Sequence, residues 1–298
     1  RSMKRKAMYA SGSDRVLDAV VYGICILVIM VTLYPMLYVV SLSFSARTVV
    51  EKGQVMFWPV DFTLASYELL TDHPLLLPSY LNTVFYTVVG AGYSLLLTVT
   101  GAYTLAKRDL PGNRLFALLI TFTMLFSGGL IPTFLLVDQL GLYNTRAAII
   151  LPSAVSVMYL FIMRTAYRGI PMALEESAVL DGANDLQLLW HVYLPLSKAS
   201  IATIALFYAV GRWNEFFNAL IYLTDDQLFP VQLVIRGLLI SMSDAMTYGS
   251  TFNAEAAKMS PLSFRAAVIV VTILPIMVVY PFVQKYFVSG VMIGAIKG

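Results

Sequence analysis

The sequence predicts an all-α transmembrane protein of six spans, and three observations carry the prediction. Of its 298 residues, 59% are hydrophobic and only 12% charged, where a soluble globular domain carries roughly a quarter charged residues. Charge-free runs reach about 20 residues, the length a helix needs to cross a hydrocarbon core of about 30 Å. The basic residues flank these runs instead of forming a stripe, so they read as orientation signals and not as a nucleic-acid surface.

The first apolar segment, 17–42, follows a basic tail, 1–16, that holds Arg1, Lys4, Arg5 and Lys6. It exceeds the roughly 7–15 residues of a secretory signal core and no small-residue cleavage pattern follows it, so it is expected to remain as the first span. Further spans are expected at about 80–106, 115–137, 147–163, 199–223 and 264–284. The implied organisation is a cytoplasmic tail (1–16), a first helix with an extracytoplasmic loop (17–79), the main transmembrane domain (80–286) and a cytoplasmic tail (287–298). An even number of spans puts both termini on one side. Thirteen basic residues fall on that side against five (Arg47, Lys52, Arg146, Arg236, Lys258) on the other, which orients the termini to the cytoplasm.

Two outer connections are long. Residues 46–79 contain Trp58, Pro59, Pro74 and Pro78 and read as a turn-rich surface segment. Residues 224–261 include the apolar stretch Leu228 to Ile240, too short to cross, which is expected to lie on or dip into the outer leaflet. Cys25 lies alone inside the first span and reads as packing, so no disulfide framework is expected. His73 and His191 fall on opposite sides of the membrane, so no metal site is expected.

On the cytoplasmic side, residues 165–198 form a loop bracketed by Pro171 and Pro195. Pro171 suits a first helical position, and Glu175 and Glu176 interact favourably with a helix N-terminus. Gly182 permits a sharp reversal and a close backbone approach. Leu186, Leu189, Trp190 and Tyr193 then share one face of a second short helix, and Pro195 ends the segment. Such a helix-turn-helix either inserts into a groove on a partner protein or rests on lipid headgroups, although paired acidic residues fit an anionic membrane poorly.

Glu176, Ser177, Ala178, then Asp181, Gly182, Ala183, then Leu194, Pro195, Leu196 resemble the EAA loop of binding-protein-dependent ABC importer permeases. The resemblance implies the six-span ABC type I importer permease fold with a cytoplasmic coupling-helix loop. It gives Glu175, Glu176, Ser177, Ala178, Asp181, Gly182, Ala183 and Pro195 a role in docking an ATPase. Ser177 stands where the family has its first alanine and Ala199 where a proline is common; both are small. "FWPVDFTLASYELL" from Phe57, "WNEFFNALIYL" from Trp213 and "KYFVSGVMIGAIKG" from Lys285 are similar to the carbohydrate-uptake branch. "MLFSGGLIPTFLLVDQLGLYNTRAAIILP" from Met124 resembles permeases for uronate-containing oligosaccharides such as aldouronates and alginate fragments. A neutral sugar is the alternative cargo.

The family pattern further implies a second, homologous permease in a heterodimer, two ATP-binding cassette subunits, an extracytoplasmic solute-binding protein and residence in a bacterial inner membrane. No glycine-rich loop ending in Gly-Lys-Ser or Gly-Lys-Thr occurs, so ATP and magnesium are expected on the partner ATPase subunits, and this chain is not expected to be an enzyme. An ion-coupled transporter would need a chain of buried acidic or histidine groups, and an intramembrane enzyme a nucleophile with its base; the spans offer neither pattern.

Arg212 and Glu215 are ionisable groups at bilayer depth, costing about 2.5–3.5 kcal/mol each on the insertion scale. At i,i+3 they can form a partial ion pair. Arg212, Trp213, Asn214 and Glu215 either line the translocation path, with the indole stacking on a sugar, or hold a structural pair inside the bundle or at the interface with a second permease. Ser127, Gly128, Gly129 and Pro132 interrupt the third span and mark either a broken helix beside a polar cavity or close helix packing through small residues. For an acidic cargo, Arg212 and Arg236 are the candidate counter-charges.

Overall fold

The polypeptide is helical because its apolar runs carry few helix breakers, and the two long helices that contain prolines, Pro35 in the first and Pro275 and Pro281 in the last, continue through them. The protein is represented by a computed structural model that describes residues 12–248 and 260–295, with side chains over 16–241 and 260–281. The basic cluster Arg1, Lys4, Arg5 and Lys6, together with Lys258, lies outside the described residues. In chain order the α-helices are α1 (Gly12–Ser43), α2 (Arg47–Glu51), α3 (Ala65–Thr71), α4 (Leu76–Ala106), α5 (Asn113–Leu125), α6 (Leu130–Gln139), α7 (Arg146–Ile150) and α8 (Val157–Arg168). They continue as α9 (Met172–Leu180), α10 (Asp185–Leu188), α11 (Leu194–Leu196), α12 (Lys198–Trp213), α13 (Phe217–Tyr222), α14 (Val231–Tyr248) and α15 (Pro261–Ala295). Among the described residues no strand forms, only an isolated antiparallel bridge between Ser45 and Phe62.

Two units divide the chain, one of Arg1–Leu70 with Met242–Ile273 and one of Thr71–Ser241 with Leu274–Gly298. In the first, α1 is solvent-exposed over most of its length, as a lipid-facing helix must be. Its last turn joins a small core of Leu42, Val49, Val50, Val55 and Ala266. Serines satisfy the turn between α1 and α2: Ser41 Oγ donates to Phe57 O at 2.7 Å, and Ser45 Oγ donates to Ser41 O at 2.6 Å while accepting from Val60 N at 3.1 Å. The turn-rich reading of 46–79 holds, with two short helices set into it.

The second unit is built on α4, against which α8 and α12 lie, with Val99, Ala102, Leu160, Met163, Ile204 and Tyr208 in the core. α4 starts at Leu76, ahead of the expected boundary, and keeps Pro78 in its first turn, where a missing N–H costs nothing. Three helices are individually long and apolar enough to cross a membrane: Val16–Ser43, Leu76–Ala106 and Pro261–Pro281. The other three predicted spans are discontinuous. The third is α5 and α6, bent by 111° at Phe126 to Gly129. The fourth is α7 and α8 separated by residues 151–156, and the fifth is α12 and α13 separated at 214–216. The last helix, α15, runs on to Ala295, past the boundary expected near 284.

The apolar stretch expected from Leu228 begins its helix only at Val231; Phe229, which precedes Pro230, is extended, the conformation a residue before proline prefers. Asn82 Nδ2 donates to Gln227 O at 2.6 Å, Tyr86 Oη to Leu228 O at 2.8 Å, and Val231 N donates to Thr83 Oγ1 at 2.8 Å. The start of α14 is thereby fixed to α4.

Candidate functional site

The loop after α8 is set by a stop and a restart. Pro171, expected at the first helical position, is instead the N-cap of α9, which begins at Met172, and Glu175 lies in the first turn. Gly182 closes α9 with φ +86°, the left-handed conformation. Ala183 N bonds to Ala178 O at 2.9 Å and Gly182 N to Val179 O at 2.9 Å, the paired bonds of a Schellman motif. Ala178 and Ala183, on either side of that turn, pack on the core. Two residues later Asn184 accepts from Gln187 N while its own N–H is taken by Gln187 Oε1, both at 2.9 Å, a capping box that starts α10.

A π-helical turn over Leu189–Tyr193 follows α10, and the chain bends by 85° between α11 and α12. The four residues expected on one face separate into two pairs. Leu189 and Tyr193 are buried, whereas Leu186 and Trp190 are 69% and 63% exposed. Their shared arc straddles the edge of the core, and the wider π turn carries one pair inward and the other out.

Tyr193 stands edge-on to Tyr103 and Tyr167, with ring centroids at 5.0 and 5.2 Å, and its hydroxyl donates to Glu175 Oε2 at 2.6 Å. Burial, then the bond to Glu175, pushes the phenol well above its ordinary value, so it remains a donor. Lys107, at the end of α4, pairs with Asp185 at the start of α10. Glu175 is thus engaged inside the loop, and Ala178 and Ala183 are half-buried. Glu176, Ser177, Asp181, Gly182 and Pro195 remain exposed beside Leu180, which is 89% exposed. A groove of about 690 Å³ runs between α9 and the loop at Lys107 to Pro111, with Glu176, Val179 and Leu180 on its wall.

The hydrogen bond from Lys107 holds the Asp185 carboxyl below its ordinary 3.8, against a smaller effect of burial. A depressed carboxyl contributes stability above its unfolded value and loses it as pH falls through the folded value. Asp185→Asn is therefore expected to loosen α10 at neutral pH, by under about 1 kcal/mol for so exposed a pair. It should match the native chain once the pH is below the folded value. Hydrogen exchange of α10 across the acid range measures this.

In the last turn of α12, Arg212 is only 5% exposed. Its guanidinium donates to Ile149 O at 2.6 Å, Ile150 O at 3.1 Å, Ser153 O at 2.9 Å and Ser153 Oγ at 3.1 Å. Ser94 Oγ lies at 3.4 Å. These are the carbonyls freed where α7 ends, so the arginine of one discontinuous span satisfies the break in another. The expected ion pair with Glu215 does not form among the described residues: Glu215 instead accepts from Asn218 N at 3.1 Å and Asn218 Nδ2 at 2.9 Å. Trp213 is buried beside Tyr80, ring centroids 6.4 Å apart, so its plane is not open to a sugar. Asn214 is exposed at the break after α12.

Gly128 and Gly129 lie in the extended break between α5 and α6, with Gly129 at φ +88°. Among the described residues a Cβ at either glycine would meet only Pro132, at 4.0 Å. Close helix packing within this chain therefore does not account for them, and the broken-helix alternative describes the backbone. Arg236, exposed on α14, lies over the Phe216 ring at 5.1 Å and borders a groove of about 370 Å³.

Ser153, Asn184, Gln187 and Tyr193 took roles that sequence reading had not assigned. Pro152 inside an apolar run and the Asn-x-x-Gln spacing were the available signals.

The family model described as binding-protein-dependent transport system inner membrane component matches residues 7–293. Protein LplC of Bacillus subtilis (strain 168) is 42% identical over 268 residues, 90% of each chain. The polygalacturonan/rhamnogalacturonan transport system permease protein YtcP of the same organism is 38% identical over 285 residues, 96% of this chain and 99% of the relative. A chain from the crystal structure of a bacterial ABC transporter involved in the import of the acidic polysaccharide alginate superposes with a TM-score of 0.83 at 37% identity. That match covers 94% of this chain and all of the other.

Proposed function

The chain belongs to the family of binding-protein-dependent transport system inner membrane components, and from that premise we propose that it is the permease subunit of an ATP-driven importer for uronate-containing oligosaccharides, alginate or aldouronate fragments among them. The single observation that carries the coupling half of this reading is the loop. It offers Glu176, Asp181 and the exposed Leu180 on a stop-and-restart turn that the core holds firmly in place. An ATPase subunit takes this turn in a surface cleft, binds ATP with magnesium, and moves the loop as a lever. The bundle then alternates between inward-open and outward-open states. A second permease completes the bundle, a solute-binding protein delivers the sugar from outside, and both termini lie in the cytoplasm.

The acidic cargo draws support from the alginate importer and from YtcP, whose names carry acidic polysaccharides. Against it stands the engagement of Arg212 by backbone carbonyls, which leaves Arg236 as the counter-charge and keeps a neutral oligosaccharide as the second reading. Reconstituted with its partner subunits, the transporter should hydrolyse ATP faster when the binding protein carries a uronate oligosaccharide than when it carries a neutral one. Equal stimulation by both would remove the acidic reading. Arg236→Gln is expected to lower acidic uptake about fivefold, the equivalent of one interaction of about 1 kcal/mol, with neutral uptake unchanged. Arg212→Gln is expected to reduce both alike.

A further inference from the structure

A second cavity, of about 420 Å³, is lined by Arg108, Asn113, Arg114, Ala117, Arg164 and Arg168. Unlike the loop groove, it has α5 for a wall. Its floor is firmly built. Asn113 Nδ2 donates to Leu105 O at 3.0 Å and Lys107 O at 2.6 Å. Arg164 donates to Leu105 O at 2.9 Å and to Asn113 Oδ1 at 3.1 Å.

Four guanidinium groups thus converge, and among the described residues no carboxylate forms an ion pair with any of them. The last carbonyls of α4 offer about half a negative charge. The start of α5, capped by Gly112 without a side-chain bond or an acidic residue in its first turn, contributes about half a positive charge and cancels it. Asp109, Glu175 and Glu176 line the adjoining groove with Arg108 and Arg168 without forming an ion pair with them, and no acidic residue lines this cavity itself, so positive charge predominates in it. Beside it, α5 buries no residue and exposes Leu115, Leu118, Leu119 and Phe122.

We propose that this pocket binds the phosphodiester headgroup of an anionic phospholipid whose acyl chains lie along α5. Guanidinium forks match phosphate oxygens two at a time, and basic pockets between membrane helices suit anionic headgroups. A free phosphate answers the charge but leaves the apolar side of α5 bare. A lipid answers both.

Native mass spectrometry of the full-length chain, purified with the subunits that accompany it, tests the assignment by titration with phosphatidylglycerol, phosphatidylcholine or inorganic phosphate. Phosphatidylglycerol is expected to be retained and phosphatidylcholine released. R108Q together with R114Q, which leaves the floor intact, should weaken phosphatidylglycerol binding roughly thirtyfold, the equivalent of about 1 kcal/mol per basic side chain. Equal retention of the two lipids, full displacement of the lipid by phosphate, or unchanged binding in the double variant would overturn it. If the double variant does not fold, the lipid preference of the native chain decides alone.

Discussion

Arg212→Leu is expected to remove about 3–5 kcal/mol of stability, the largest single effect in the chain. Each hydrogen bond to a charged group contributes about 1.5–3 kcal/mol net, and the guanidinium serves three carbonyls at the end of α7. Once it is gone those oxygens have no donor among the described residues, and an unsatisfied group in hydrocarbon costs several kcal/mol. Thermal unfolding in detergent should fall by roughly 10 °C, with loss of monodisperse protein on size exclusion. Arg212→Lys should recover part of it, since one ammonium reaches fewer acceptors. Gly90→Ala offers a milder version: its Cβ would lie 3.2 Å from Arg212 Nε and 3.3 Å from Cδ. An unchanged midpoint in Arg212→Leu would show that the break is held by other means.

Gly182→Val and Glu176→Lys are expected to abolish most transport while ATP hydrolysis by the partner subunits continues. At Gly182 the cost is conformational. A Cβ there meets nothing within 4 Å, but a left-handed backbone costs an ordinary residue about 1–2 kcal/mol, equivalent to roughly a five- to thirtyfold loss of the docking-competent turn. Gly182→Asn tolerates the left-handed region and should retain more transport than Gly182→Val. Glu176→Lys reverses an exposed charge on the wall of the loop groove without touching the core. Normal uptake in both variants would refute the coupling role.

Hydropathy located all six apolar segments, because the length of an apolar run is a property of composition. It did not show that the fourth and fifth are interrupted, because a break depends on who satisfies the freed carbonyls, and Arg212 is 59 residues from Ser153 in sequence; at the third, Gly128 and Gly129 had offered the break as one of two readings. The loop was legible at Gly182, where only a left-handed turn allows the reversal, and at the acidic start of α9. It was illegible at Tyr193, whose partner Glu175 is 18 residues away, and in the division of Leu186 and Trp190 from Leu189 and Tyr193. Helical spacing fixes which residues share an arc but not where the core's edge cuts it. For Arg212 and Trp213 the residue types left a place beside the cargo path and a structural place in the bundle equally open, and their burial could come only from packing.

The break at Gly128 and Gly129 has a consequence for how the protein is made. α5 and α6 contain 13 and 10 residues, or about 20 Å and 15 Å of helix at 1.5 Å per residue, and neither alone reaches across a bilayer. As the chain leaves the ribosome, the insertion machinery meets the stretch as one apolar run, whereas after the 111° bend residues 126–129 are exposed on this chain and their backbone groups need a polar cavity or another protein surface at membrane depth. Bending in the bilayer is therefore expected to follow insertion, once such a surface is present.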